Sequence, residues 1–191
     1  MKNLASIFLF LSLSINNLFA QIIATSAIPA VDKSAMDMST YPANYPLLKI
    51  QDKATEPLAA RIIYSRPLKS GRVIFGELLE YNKVWRFGAN ENTEIEFFRD
   101  VKINNAKIKK GRYSLFAIPN KDKWTIIINK DLNTWGSFKY DSLKDIVKVD
   151  VPLQKVMDIA DAFYIYFDKT IKGFSMNAGW DDVKISLPIN F

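Results

Sequence analysis

Residues 111–129 read GRYSLFAIPNKDKWTIIIN, and this stretch decides the fold class. Two apolar runs, RYSLFAI at 112–118 and WTIIIN at 124–129, lie on either side of Pro119 and the polar residues 120–123. Both runs have strand length, and the second is rich in the β-branched residues that suit a pleated surface. Asn120 to Lys123 supply the connection of a hairpin, and Lys109, Lys110 and Gly111 supply the turn before it.

The same pattern continues outward in both directions. Residues 58–64 (LAARIIY) read as a strand stopped by Pro67, and in 93–98 (TEIEFF) Ile95 and Phe97 alternate with Glu94 and Glu96. Downstream, 146–151 alternates valines with Lys148 and Asp150, and 162–167 (AFYIYF) alternates Phe163, Ile165 and Phe167 with two tyrosines. The tail offers two more strands, 171–180 and 183–189, with Asp181 and Asp182 read as the turn between them. Helical signals are weak: short turns at 32–38, 75–79 and 142–145. About eight short strands without regularly alternating helices predict a mainly β chain, a single antiparallel β-sandwich.

With 49% hydrophobic residues among 191, the chain can bury one substantial core. Residues 1–20 have the layout of a secretory signal peptide: Lys2, an apolar run over 4–13, and a polar-to-small exit ending at Ala20. The apolar run is too short to span a bilayer of about 30 Å. Residues 21–46, with small and polar residues and several prolines, read as a flexible linker, and 47–191 as the folded domain. Export, to the periplasm or the outer surface, is the expectation. Removal of residues 1–20 takes away one lysine, so the formal charge falls from +6 to +5, with 25 basic against 20 acidic residues. A basic exported domain suits an envelope glycan or anionic ligand better than nucleic acid. The lysines are nevertheless scattered, as on an ordinary solvated surface.

There is no Cys and no His. Disulfides, thiol nucleophiles, thiolate metal sites, serine–histidine triads and imidazole zinc sites are therefore excluded. No cofactor and no metal site is expected. Asp141, Asp145, Asp181 and Asp182 can offer oxygen ligands to Ca²⁺ but lack EF-hand spacing. Two carboxylates can still hydrolyse glycosides, and Glu91 with Glu94 is the nearest such pair.

Two segments concentrate polar and aromatic chemistry. In the first, if 84–88 is extended, Trp85 and Phe87 share one face and Arg86 takes the other, followed by Asn90, Glu91 and Asn92. Together with Arg66 these side chains can hold an anion or a sugar. Equally, Glu91 or Glu94 can pair with Arg86 and simply staple two strands. The second segment, 129–141 (NKDLNTWGSFKYD), carries Trp135 in a polar loop. Flat loop aromatics stack on sugar rings, or fold back to cap the core. Arg66, Arg86, Asn90, Glu91 and Trp135 are the candidate ligand-binding residues.

The runs YSRP (64–67), GRVIFG (71–76) and KVWRFGANE (83–91), with GRYSLF (111–116), WTII (124–127), NTWG (133–136) and the ending from Trp180, resemble an uncharacterised exported family. That family is domain of unknown function number 2911, of Bacteroidetes type, and the resemblance covers about 47–191. Phe87 and Lys110 depart from its pattern, where smaller residues are expected. The resemblance implies export and a single domain but no catalytic residues. The combined expectation is a non-catalytic binding or envelope-associated module. The rivals are a carboxylate-dependent glycan-active enzyme on Glu91 and Glu94, and a module that binds an envelope protein through a sheet edge.

Overall fold

The computed structural model describes residues 31–191. The signal peptide expected at 1–20 and the first part of the expected linker, 21–30, lie outside the described residues. The elements in chain order are β1 (Met36–Tyr41), α1 (Tyr45–Ile50), β2 (Ala60–Ser65), β3 (Thr93–Phe97), β4 (Val101–Ile103), β5 (Ala106–Ile108), β6 (Gly111–Pro119), β7 (Lys123–Asn129), a 3-10 turn (Ser142–Lys144), β8 (Asp145–Pro152), β9 (Gln154–Thr170) and β10 (Gly173–Asn190). They form two antiparallel sheets: β1-β2-β3-β6-β7-β8 and β5-β4-β10-β9. The domain is mainly β and sandwich-like, as the alternation predicts.

Period-2 side chains explain the layering. On the six-stranded sheet Ile62, Ile95, Leu115, Ala117, Trp124, Ile126 and Ile128 point inward and are buried. Phe163, Ile165, Phe174, Met176 and Trp180 meet them from the other sheet. Trp85, Phe87, Trp124 and Phe163 pack edge to face, with centroids 5.0–6.1 Å apart. Each such pair contributes about 0.5–1.5 kcal/mol beyond the area it buries. Phe87 is fully buried, so the residue that departs from the family pattern serves the core.

The sheets also join at one corner. The Phe163 N–H donates to the Pro67 carbonyl (3.0 Å), and Leu68 bridges Ala162. The Tyr64 hydroxyl accepts from the Ile165 N–H (2.9 Å) and lies 3.1 Å from the Ile165 carbonyl and from Asp37 Oδ2. Its pKa is pushed up to about 12, chiefly by burial.

Two expectations are corrected. Residues 36–46 are not linker: β1 pairs with β2 from Met36↔Ser65 to Tyr41↔Ala60, α1 follows, and the helical turn read over 32–38 gives way to the start of β1. Tyr41 anchors this segment by stacking on Phe174 at 4.5 Å. The tail is one strand, not a hairpin. β10 runs through Asp181 and Asp182, which sit at register shifts against β9, and their carboxylates pair with Lys69 and Lys155. The left-handed backbone at Asp181 (φ 57°) belongs to a bulge rather than to a chain reversal.

Candidate functional site

The outer face of the six-stranded sheet carries what the core does not. Phe116 and Ile127 are buried there although they alternate away from the core. The connection from β7 to β8 covers them, with Tyr140 edge-on to Phe116 at 5.0 Å. Buried Asn129 clamps both ends of this loop. Its Oδ1 accepts from the Asp131 N–H (2.8 Å), and its Nδ2 donates to the Asp141 carbonyl (3.0 Å) and to Asp145 Oδ1 (2.7 Å). Asp145 Oδ2 accepts from the Tyr140 hydroxyl (2.5 Å) and pairs with Lys148 (3.0 Å).

A second loop rises between Trp85 and β3. Trp85 and Ala117 exchange backbone bonds of 2.7 and 2.9 Å, so the chain lies beside β6 before it turns away. Phe87 and Asn90 adopt φ near 56–57°, and Thr93 closes the excursion through its Oγ1, which donates to the Phe87 carbonyl (2.5 Å). Gly88 is packed so tightly that a Cβ there would stand 3.0 Å from both the Ser65 carbonyl and Thr93 Oγ1.

The two loops are stitched together. The Asn92 N–H donates to the Thr134 carbonyl and the Gly136 N–H to the Asn90 carbonyl, both at 3.0 Å, and Glu91 bridges Trp135. The Ser137 hydroxyl donates to the Val84 carbonyl (2.9 Å). With its nitrogen turned inward, the Asn92 amide reaches Thr134 Oγ1 (2.9 Å) and the Gly136 carbonyl (2.5 Å). Two sequence segments about forty residues apart therefore form one raised unit on the sheet.

A cleft lies on each side of this unit. One, of about 410 Å³, has Phe116, Trp135, Phe138 and Tyr140 as its aromatic lining, with Asp131 and Asp141. The other, of about 310 Å³, is lined by Met36, Ile63, Ser65, Glu91 and Glu94. Asn133 and Thr134 border both. Trp135 is 58% exposed and Phe138 84%, so rings that a closed core would cover face solvent.

The candidate residues separate accordingly. Glu91, Glu94, Asn90 and Trp135 are gathered on the stitched loops and their clefts. Asn90 Nδ2 also donates to Asp32 Oδ2 (2.6 Å). Arg66 is engaged elsewhere: its Nε donates to the Phe163 carbonyl (3.0 Å) and its Nη1 pairs with Asp37 (3.2 Å), tying the sheets together. Arg86 is half-buried, and burial lowers its pKa. Its Nε has no hydrogen-bond partner among the described residues. The expected pairing of Glu91 or Glu94 with Arg86 is replaced by another. Glu94 Oε2 pairs with Arg112 Nε (3.4 Å) and Glu94 Oε1 accepts from the Asn133 N–H (3.0 Å). Both Glu94 oxygens are thus engaged by donors of the protein itself.

Sequence reading overlooked Phe116, Met36 and Ile63 as cleft residues. Strand alternation places each on the outer face, but only the pairing shows that they lie beside the loops. The acidic residues considered for Ca²⁺ do not converge. Asp181 and Asp182 sit on β10, Asp145 holds the β7–β8 loop, and Asp141 accepts from the Leu143 N–H (2.9 Å). Among the described residues no group of three acidic side chains could hold a metal ion, and no helix is long and apolar enough to cross a membrane.

Fold and site together define a two-sheet antiparallel β domain with a pair of loop-built clefts on one outer face, one of them lined by aromatic rings. Residues 47–189 match the family described as Protein of unknown function (DUF2911), and the chain belongs to that family. No curated protein matches the chain, and no solved structure does.

Proposed function

We propose that the protein is a non-catalytic binding module for a glycan, exported by its N-terminal signal pattern and acting in the cell envelope. The observation that carries this reading is the meeting of the 84–93 and 133–137 loops, which holds an exposed Trp135 at the rim of an aromatic-lined cleft. An indole held by a braced loop offers a flat apolar face whose ordering cost is largely met before ligand arrives. Asn133, Thr134 and the neighbouring carboxylates add hydrogen-bonding groups for ring hydroxyls.

The enzyme reading is weaker, because one member of its carboxylate pair is fixed by Arg112 and the Asn133 backbone. Calorimetric titration with soluble envelope glycans tests the choice. Trp135→Ala should weaken binding at least tenfold, about 1.4 kcal/mol, while Glu91→Gln, whose amide still hydrogen-bonds ring hydroxyls, should weaken it less than Trp135→Ala does. Glycan turnover by the wild type that Glu91→Gln abolishes would replace the binding module with an enzyme.

A further inference from the structure

The two clefts are aligned across the strands. Cα pairing runs in one unbroken transverse row, Met38↔Ile63↔Glu94↔Ser114↔Asn129, on the outer face from β1 to β7. Four strand spacings make that row about 19 Å long. The cleft over β1–β3 has an apolar floor of Met36 and Ile63, 62% and 39% exposed, and the cleft over β6–β7 presents the exposed rings of Trp135 and Phe138. Between them the β7–β8 loop crosses β6, where the Ser114 hydroxyl donates to the Asp131 carbonyl (2.5 Å). Asn133 and Thr134 form the saddle common to both sides.

The charge lining runs against that of the whole chain. Against a formal charge of +6, the two clefts present Asp131, Asp141, Glu91 and Glu94, with Lys139 as the cation in their lining. Asp131 pairs with Lys144 (3.0 Å) and Glu94 with Arg112 (3.4 Å). Glu91 and Asp141 have no ion pair among the described residues. Carboxylates accept hydrogen bonds from sugar hydroxyls and repel acidic sugars.

We propose that the site takes an extended, non-acidic glycan chain lying across the strands, with one subsite at Trp135 and Phe138 and a second over Met36 and Ile63. This rests on the glycan reading above and narrows it to a chain rather than a single sugar, and to neutral rather than acidic units. The test is calorimetry on the protein with di- and tetrasaccharides of the cello-, chito-, manno- and xylo-series, and with di- and tetragalacturonate. One neutral tetrasaccharide should bind at least tenfold more tightly than its disaccharide, and at least tenfold more tightly than tetragalacturonate. Ile63→Ser should remove the advantage of the tetrasaccharide and spare the disaccharide, whereas Trp135→Ala should weaken both. Met36→Ser serves the same purpose if Ile63→Ser lowers the melting temperature. Equal affinity for the two chain lengths, or preference for tetragalacturonate, overturns the two-subsite proposal while leaving a binding site at Trp135. Absence of binding by every series overturns the glycan reading and this proposal with it.

Discussion

Tyr64→Phe isolates one hydroxyl at the corner where the sheets join. The ring is retained, together with its edge-to-face contact with Phe163 at 5.9 Å. What goes is the acceptor of the Ile165 N–H and a hydroxyl proton for which the Ile165 carbonyl and Asp37 Oδ2 compete, both at 3.1 Å; the carbonyl also accepts from the Ser39 hydroxyl at 2.6 Å. Both backbone groups are turned away from β10, so neither gains a ladder partner instead. Tyr64 is 3% exposed, which leaves water little access to the stranded N–H. An unpaired buried donor costs about 1–3 kcal/mol, and a domain of this size loses about 2–4 °C per kcal/mol. Urea unfolding followed by circular dichroism should show the loss as a lower midpoint with unchanged slope, and native-state exchange should show faster exchange of the Ile165 amide. Adding Ser39→Ala strips the carbonyl of its second donor, so the double variant should lose at least 0.5 kcal/mol more than the sum of the singles, as expected for groups that share a partner. A Tyr64→Phe cost below about 0.5 kcal/mol, or strict additivity with Ser39→Ala, would refute the view that this hydroxyl joins the sheets.

Three further outcomes follow from the same geometry. Gly88→Ala should destabilise by about 1–3 kcal/mol in chemical denaturation, because the new methyl meets the Ser65 carbonyl and Thr93 Oγ1 at 3.0 Å in a closely packed corner. Alkali should destabilise the wild type. The raised folded-state pKa of Tyr64 contributes stability that is present below the unfolded value near 10 and is lost as pH rises towards 12. Stability measured from pH 9 to 12 should therefore fall less steeply in Tyr64→Phe, with a remaining slope from the other tyrosines that burial also raises, Tyr113, Tyr140 and Tyr164 among them. Asp145→Ala should cost about 1.5–3 kcal/mol by removing the acceptor of Asn129, Tyr140 and Lys148, and amides of the β7–β8 loop should exchange faster than those of β6.

The β6–β7 hairpin was legible because its apolar positions, Pro119 and the polar turn all agree on strand periodicity. β1 was not legible, and its chemistry explains why. Its apolar Met36 and Met38 face outward, while the polar Asp37 and Ser39 face inward to Tyr64, Arg66 and Ile165. A strand whose polar side chains are satisfied across the sandwich inverts the usual pattern, and only tertiary pairing shows it. β4 and β5 are three residues each, too short to establish a period. At Asp181 and Asp182 two adjacent carboxylates resemble a turn, yet Lys69 and Lys155 hold them within a continuous strand. At the candidate site, the dense motifs fall on the two loops that the fold brings together, but they did not identify the partner of Glu94. Arg112 lies directly opposite Glu96 in the β3–β6 ladder and reaches diagonally to Glu94, a choice fixed by register rather than by distance along the chain.

The arrangement gives each strand of the large sheet two separate duties. Leu115 and Phe116, Ile95 and Glu94, and Ile62 and Ile63 are neighbours in sequence, yet each pair divides between the core and the cleft face. The strand pleat thus sets the cleft floor, and the floor is as well ordered as the core that holds the other face. The loops carry the exposed Trp135 and the cleft residue Glu91, and they are braced chiefly by backbone bonds, Asn92 and Asn129 rather than by the groups offered to solvent. Trp135 and Glu91 can therefore change without removing a brace, since their backbones rather than their side chains form the bridge between the loops. Separation of this kind is what the proposed binding surface needs if recognition is to be altered without loss of the fold.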